Sequence, residues 1–403
     1  MNKLIEIYNR LLNEIVPGYY REFYSDFTMD NRFIGVVGAR GVGKTTFLLQ
    51  YLRENYGNGE KGLYVSADNL FFSDHTLLEI ADQFVKLHDG ELLCIDEIHK
   101  YKNWNQELKN IYDSYPKLKV IFSGNSSIDL IKGKYDLSRR VILRQMHGFS
   151  FREFLEIKTK KNYPILKLSD LIGSASLATD DISNEKKLLG FLHEYWLKGY
   201  YPTSQAIASY EAFRDTLVGI IDKTIFEDIT SFYNLKTANI DALKKILYFF
   251  ATSLPGTVNI HRISNSINKD NATVAEYIQI LRDTGLLRFL LIDKDGHALV
   301  RNAEKIYLDN TNLLYAINNS IGKETNLGSI RELFVINSLE NAGYSVLYST
   351  KGDISCDGNI FEIGGASKDA TQIMKTSNAY LVKDDILYAS IGTIPLYLFG
   401  FLS

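Results

Sequence analysis

Residues Gly38-Ala39-Arg40-Gly41-Val42-Gly43-Lys44-Thr45 match the pattern G-x-x-x-x-G-K-[ST] in full. They follow the apolar run Phe33 to Val37 and open the helical pattern Lys44 to Glu54. A buried strand that turns through glycines straight into a helix is the setting that a phosphate-binding loop needs. Glycines let the backbone curl until its N–H groups face an anion. Lys44 adds a point charge suited to β- and γ-phosphates, and the Thr45 hydroxyl suits Mg²⁺. The helix aims its positive end at the same anion. ATP and Mg²⁺ are the cofactors this loop predicts.

Glu91-Leu92-Leu93-Cys94-Ile95-Asp96-Glu97 is an apolar strand ending in two carboxylates, about fifty residues after the loop. Asp96 is read as holding Mg²⁺ through water and Glu97 as polarising the attacking water. This strand is expected beside the one that feeds the phosphate loop. Further apolar runs at Gly62 to Val65, Leu118 to Phe122 and Val141 to Leu143 alternate with helical patterns at His75 to Leu87 and Trp104 to Ser114. The alternation predicts a parallel sheet covered on both faces. Asn125, Ser126 and Ser127 follow the fourth strand, where they either meet the γ-phosphate or cap a helix. Arg139 and Arg140 are either transition-state cations for a neighbouring site or members of surface ion pairs.

From Phe149 the pattern is helical, with helices over Glu185 to Lys198 and Ala212 to Ile229. A Ser- and Asp-rich link is expected at Gly173 to Asn184. Ile260 to Ile267, a turn at Asn268-Lys269-Asp270-Asn271, and Thr273 to Asp283 read as helix-turn-helix, with Asn271 as N-cap and Gly285 as stop. Leu286 to Ile292, the turn Asp293 to Gly296, and Lys305 to Leu308 complete a wing. The second helix carries Arg282 against Glu276 and Asp283, so it either binds DNA or serves as a packing module. A last α/β segment shows a helix at Arg331 to Ala342 and strands at Ser345 to Tyr348, Ile360 to Ile363, Ala379 to Val382 and Leu396 to Phe399. Asp353 and Glu362 flank one strand as a metal-nuclease pair does. The triplet Glu362-Ile363-Gly364 lacks the lysine such a site uses, and Lys368 lies further along.

Charge and composition exclude little beyond a generally basic coat protein. The formal net charge is −3, with 45% hydrophobic and 23% charged residues. No apolar run approaches the roughly 20 residues of a membrane span. Leu4, Ile5, Tyr8, Leu11, Leu12 and Ile15 fall at helical spacing, which predicts an amphipathic docking helix. Cys94 and Cys356 lie far apart, with no disulfide framework, and a cytoplasmic location is expected.

With these motifs on the page, the chain resembles a family of bacterial and archaeal P-loop ATPases related to the AAA+ superfamily. Its members join an ATPase domain to a winged helix and a C-terminal domain of restriction-endonuclease-like fold. The resemblance rests on Gly38 to Thr45 with Thr46, on Asp96-Glu97-Ile98-His99-Lys100 followed by Trp104, and on Ser123-Gly124-Asn125-Ser126-Ser127. It extends to Phe149-Ser150-Phe151-Arg152-Glu153-Phe154-Leu155, to Lys305-Ile306-Tyr307-Leu308-Asp309, and to the surroundings of Phe361-Glu362. It implies an ATP site of Gly38, Ala39, Arg40, Gly41, Val42, Gly43, Lys44, Thr45 and Thr46. Thr45 and Asp96 would be on the metal, and Lys44, Glu97, Ser126 and Arg140 in catalysis, with Ser126 as sensor. The expected segments are 1–31, an N-terminal extension; 32–148, the ATPase core; 149–237, a helical lid; 238–322, a winged helix; and 323–403, an inactive endonuclease-like domain. The expected function is Mg-dependent ATP hydrolysis that drives a switch, on DNA or on a protein partner. An ATP-gated nuclease is the alternative.

Overall fold

The computed structural model describes residues 1–14, 18–57, 61–125, 137, 139–233, 237–256, 258–292 and 305–402. They form two compact units, Met1–Gly148 and Phe149–Ser403.

In the first unit, β1 (Phe33–Val37), β2 (Gly62–Ser66), β3 (Leu92–Asp96), β4 (Lys119–Gly124) and β5 (Val141–Gln145) make one sheet in the order β2-β3-β4-β1-β5. Every pairing is parallel. β1 and β3 are buried at all five positions, which is why both read as continuous apolar runs rather than alternating ones. Helices Lys44–Tyr56, Leu77–His88 and Trp104–Ser114 fall where the periodicity places them. The second starts on a reciprocal cap between Thr76 and Glu79. Helix Asn2–Glu14 buries Leu4, Tyr8 and Leu12 against β2 and helix Lys44–Tyr56, as its spacing predicts.

One expectation is corrected. β3 does not lie beside β1, because β4 pairs with both and separates them. Strand order is decided by which edges meet across the sheet, and a strand's own residues do not record that.

The second unit begins at helix Phe151–Thr159. Ser150 Oγ accepts from Glu153 N at 3.1 Å, and Ser150 N donates to Glu153 Oε2 at 3.0 Å. Phe151, Phe154 and Leu155 are fully buried, so the Ser-Phe-Arg-Glu-Phe run is a cap followed by core. The segment expected as a link is instead helical through Leu168–Ile182. Lys167 N donates to Asp170 Oδ2 at 2.8 Å to start it, and Leu168, Leu171 and Ile182 are buried. Ser169 and Ser176 lie exposed on this helix, so its serines do not break it.

Helix Leu188–Glu194 continues as a π-helical turn, Tyr195–Gly199. Helix Tyr210–Lys223 similarly runs into Thr224–Ile229. Helices Thr237–Thr252, Ile260–Ile267 and Asn271–Asp283 follow. The last is capped by Asp270, not Asn271: Asp270 Oδ1 accepts from Thr273 N at 2.9 Å. β6 (Leu287–Leu290) pairs antiparallel with β7 (Lys305–Leu308). The turn expected at Asp293 to Gly296 lies outside the described residues.

Helices Thr311–Ser320 and Leu327–Asn341 precede a second five-stranded sheet. It comprises β8 (Val346–Tyr348), β9 (Ile354–Cys356), β10 (Asn359–Gly364), β11 (Ala379–Lys383) and β12 (Thr393–Pro395), in the order β12-β11-β10-β9-β8. β9 and β12 are three residues each, too short to register as a pattern. The strand expected at Leu396 to Phe399 is a 3₁₀ helix, Leu396–Phe401, buried at every position. A run that is apolar on all sides shows neither a period of two nor one of 3.6. Among the described residues no helix is long and apolar enough to cross a membrane.

Candidate functional site

The phosphate loop leaves the C-terminal end of β1 under tight steric control. A Cβ on Gly38 would stand 2.2 Å from the Met146 carbonyl oxygen, so no other residue fits. Gly43 turns the chain into the helix at φ +102°, a conformation closed to ordinary side chains. Lys44 is buried and its Nζ donates to the carbonyls of Gly38 at 2.8 Å and Ala39 at 2.9 Å. The ammonium therefore points back over the loop instead of out along the helix. Arg21, from the N-terminal segment, donates to Val42 O at 3.0 Å, His147 O at 2.8 Å and Gly148 O at 2.7 Å. It ties the loop to the end of the unit, and nothing in the sequence marks it for that role.

Although β4 intervenes, Asp96 reaches the loop helix. Thr45 Oγ1 donates to Asp96 Oδ2 at 2.6 Å, and Tyr64 Oη donates to the same oxygen at 2.8 Å. Ser123 Oγ donates to Asp96 Oδ1. Burial, followed by the Asp96 charge, pushes the Tyr64 hydroxyl well above its usual range, so it remains a donor. Tyr64 and Ser123 were not singled out as site residues from the sequence. The available signal was that β2 and β4, the strands flanking β3, each carry hydroxyl side chains among apolar residues. A carboxylate and a hydroxyl in contact, both hard oxygen donors, fit Mg²⁺.

Glu97 follows with φ +51°, unusual for a side chain of this kind. Its N–H donates to Ser123 Oγ at 3.0 Å and Asp96 Oδ1 at 3.1 Å. Asn125, at the end of β4, is buried against His99. Ser126 and Ser127 lie outside the described residues.

Arg140 is not brought to this site. It immediately precedes β5, whose Val141 pairs with Phe33 at the start of β1, whereas the loop leaves β1 after Val37. At about 3.3 Å per residue the sheet puts roughly 15 Å between them. Arg140 Nε lies 3.2 Å from Asp113 Oδ1, and its guanidinium stands over the Tyr112 ring. This placement sets Arg140 at the opposite end of the sheet from the phosphate loop of its own chain.

The second unit gathers a separate charged cluster. Lys368, which follows β10 along the chain, pairs with Glu362. Gly364 permits it, since a Cβ there would meet Lys368 Cβ at 2.6 Å. Asp353 Oδ2 accepts from Ile363 N at 2.7 Å. Glu332 accepts from Tyr307 Oη at 2.6 Å and from Lys305 Nζ at 3.3 Å. Burial raises both Glu332 and Glu362, and each also feels the charge of Asp353. His193, Asp384 and Asp385 also converge, but Arg331 Nε lies 2.8 Å from Asp384 Oδ2 and supplies the positive charge there.

Residues 30–155 match a family described as an AAA domain, and residues 190–324 match one described as a domain of unknown function, DUF8612. The chain is 23% identical over 372 residues to the uncharacterized protein MJ1637 of Methanocaldococcus jannaschii, covering 84% of this chain and 76% of that one. Among solved structures, AMPPCP-bound DnaA from Aquifex aeolicus is 18% identical, over 69% of this chain and 86% of that chain, with a TM-score of 0.26. PCH-2 from C. elegans is 18% identical, over 69% and 68%, with a TM-score of 0.23. Overlaps at that level are too low to carry an argument. On its own loop, its five-stranded parallel sheet and the family match, the chain carries an AAA-type P-loop ATPase domain.

Proposed function

We propose that the protein binds Mg-ATP on Gly38 to Thr46, hydrolyses it, and transmits the nucleotide state to its second unit as a conformational switch. The observation that carries this reading is the convergence of Thr45 and Asp96 at 2.6 Å beside Lys44 and Glu97. The loop N–H groups and Lys44 hold and orient the phosphates, Lys44 exchanging the Gly38 and Ala39 carbonyls for phosphate oxygens. Thr45, and Asp96 through water, would hold Mg²⁺, which would neutralise charge on the phosphates. Tyr64 and Ser123 aim Asp96 by donating to it. Glu97 orients the attacking water and takes its proton, and Ser126, next to Asn125, reads the γ-phosphate. Arg140 acts only if a second copy presents it.

Helices Ile260–Ile267 and Asn271–Asp283 with the β6–β7 pair have the element order of a winged helix. The exposed side of Asn271–Asp283 offers Asn271, Ala272, Ala275, Glu276, Gln279 and Arg282. One acid offsets one base, which favours a protein partner over the phosphates of a duplex. Phosphate release by wild type and Glu97→Gln, each with and without mixed DNA, tests both parts. Hydrolysis that needs Glu97 but ignores DNA supports the reading; Glu97→Gln turnover at the wild-type rate sinks the assigned chemistry.

A second reading, an ATP-gated nuclease of restriction-endonuclease-like fold, draws on Lys368. With Glu362, Asp353 and Glu332 it restores the acid-acid-lysine grouping that the triplet alone lacks. Glu362 is 1% exposed, and its Oε2 has no hydrogen-bond partner among the described residues, which fits a cation ligand. Glu362 and Asp353 are the residues that would hold a divalent ion. Plasmid incubated with Mg²⁺ or Mn²⁺, with and without ATP, decides it: cleavage lost in Glu362→Gln supports this reading, and an intact plasmid removes it.

A further inference from the structure

The carboxylate read as the water-activating base has a buried neighbour that the chemistry above does not use. His99 sits on the short 3₁₀ turn Ile98–Lys100, directly after Glu97, and its side chain is only 4% exposed. Its Nε2 stands 3.4 Å from Glu97 Oε2 and 3.1 Å from Asn125 Nδ2. A ring nitrogen carries either a proton or a lone pair. With the proton it donates to Glu97; with the lone pair it accepts from the Asn125 amide. One atom therefore stands between the catalytic carboxylate and the amide at the end of β4.

The main chain of Glu97 is already held at φ +51° by bonds to Ser123 and Asp96. Only side-chain torsions remain to set where the carboxylate points, and the His99 contact acts on those.

We propose that His99 is a positioning residue for ATP hydrolysis. Its Nε2–H holds the Glu97 carboxylate where it can take a proton from water, and Asn125 competes for the same nitrogen. An Asn125 amide that turns to a phosphate oxygen frees Nε2 for Glu97, so the hold engages when a γ-phosphate is present. This rests on the ATPase reading above.

The test uses the full chain in five forms: wild type, His99→Leu, His99→Gln, Glu97→Gln, and the double variant His99→Leu/Glu97→Gln. Single-turnover hydrolysis gives the rate, and a fluorescent ATP analogue gives Kd. His99→Leu is expected to slow hydrolysis roughly 10- to 100-fold while Kd changes less than about 2-fold. His99→Gln, whose amide N–H can donate in place of Nε2–H, recovers most of the rate. In the Glu97→Gln background, His99→Leu costs less than about 2-fold, because its effect passes through the carboxylate.

A wild-type rate in His99→Leu overturns the proposal. So does an equal loss in the Glu97→Gln background, a parallel loss of analogue binding, or no recovery in His99→Gln, each of which marks a residue that merely packs. A wild-type rate in Glu97→Gln is a different failure: it removes the base assignment itself, and the role of His99 with it.

Discussion

Asp96 gathers hydroxyls from Thr45, Tyr64 and Ser123, and these donors set where the carboxylate points. Tyr64 approaches from β2 and donates to the same Asp96 oxygen as Thr45. Tyr64→Phe removes that donor without emptying space. It is expected to raise the Mg²⁺ concentration for half-maximal hydrolysis roughly 10-fold, the usual scale for a group that orients a metal ligand. The folding cost is about 1 kcal/mol. A magnesium titration of ATPase activity checks it, and an unchanged midpoint would show that Thr45 and Ser123 orient Asp96 unaided. At the other cluster, burial raises Glu362 above its ordinary value of 4.5, while Lys368 lowers it. A raised carboxylate binds more protons folded than unfolded, so stability falls as pH rises from the ordinary value through the folded one. Lys368→Met raises Glu362 further. Its thermal destabilisation is therefore larger at about pH 8 than at about pH 4.5, near the ordinary carboxylate value. Equal losses at both pH values would show that Lys368 does not act through the titration of Glu362.

An irregular element of the second unit is supported by one specific side chain. The π-helical turn Tyr195–Gly199 leaves carbonyls that an α-helical ladder would use. Asn312, fully buried on helix Thr311–Ser320, donates to Tyr195 O at 2.9 Å and Trp196 O at 2.8 Å, and accepts from Tyr200 N at 2.9 Å. Asn312→Ala leaves three backbone groups without their partner and is expected to cost about 3 kcal/mol, measured by denaturant unfolding. A cost below about 1 kcal/mol would mean that water reaches the turn and replaces the amide. Helix Leu168–Ile182 makes the same point in reverse. Its composition suggested a link, but a few buried side chains and one cap at Lys167 and Asp170 are enough to specify it.

At the scale of the whole molecule, the proposed nucleotide site belongs to one unit and the proposed response to the other. A ligand that binds only the folded state stabilises the unit that holds it, by about 2.7 kcal/mol at 100 times Kd. Calorimetry with Mg-ATP is expected to raise the transition of residues 1–148, and Lys44→Ala to abolish that rise. If the transition of residues 149–403 moves as well, the units are energetically coupled, as a switch requires. If it stays in place, ATP acts on the first unit alone and the switch reading fails.

The phosphate loop, the strand ending in Asp96 and Glu97, and most helices of the first unit were legible because they depend on neighbours along the chain. A loop that must cradle an anion needs glycines at set spacings, and a strand buried on both faces is apolar throughout. What lay between β1 and β3 was not legible, nor was the reach of Tyr64 to Asp96, because strand order and cross-strand contacts are set by edges far apart in sequence. The same reason hid Lys368, which read as too distant until the turn after β10 folded it back onto Glu362. Local covalent spacing thus determined the nucleotide chemistry expected of this protein. Only tertiary packing decided which side chains surround it, because a contact made through space leaves no period in the chain.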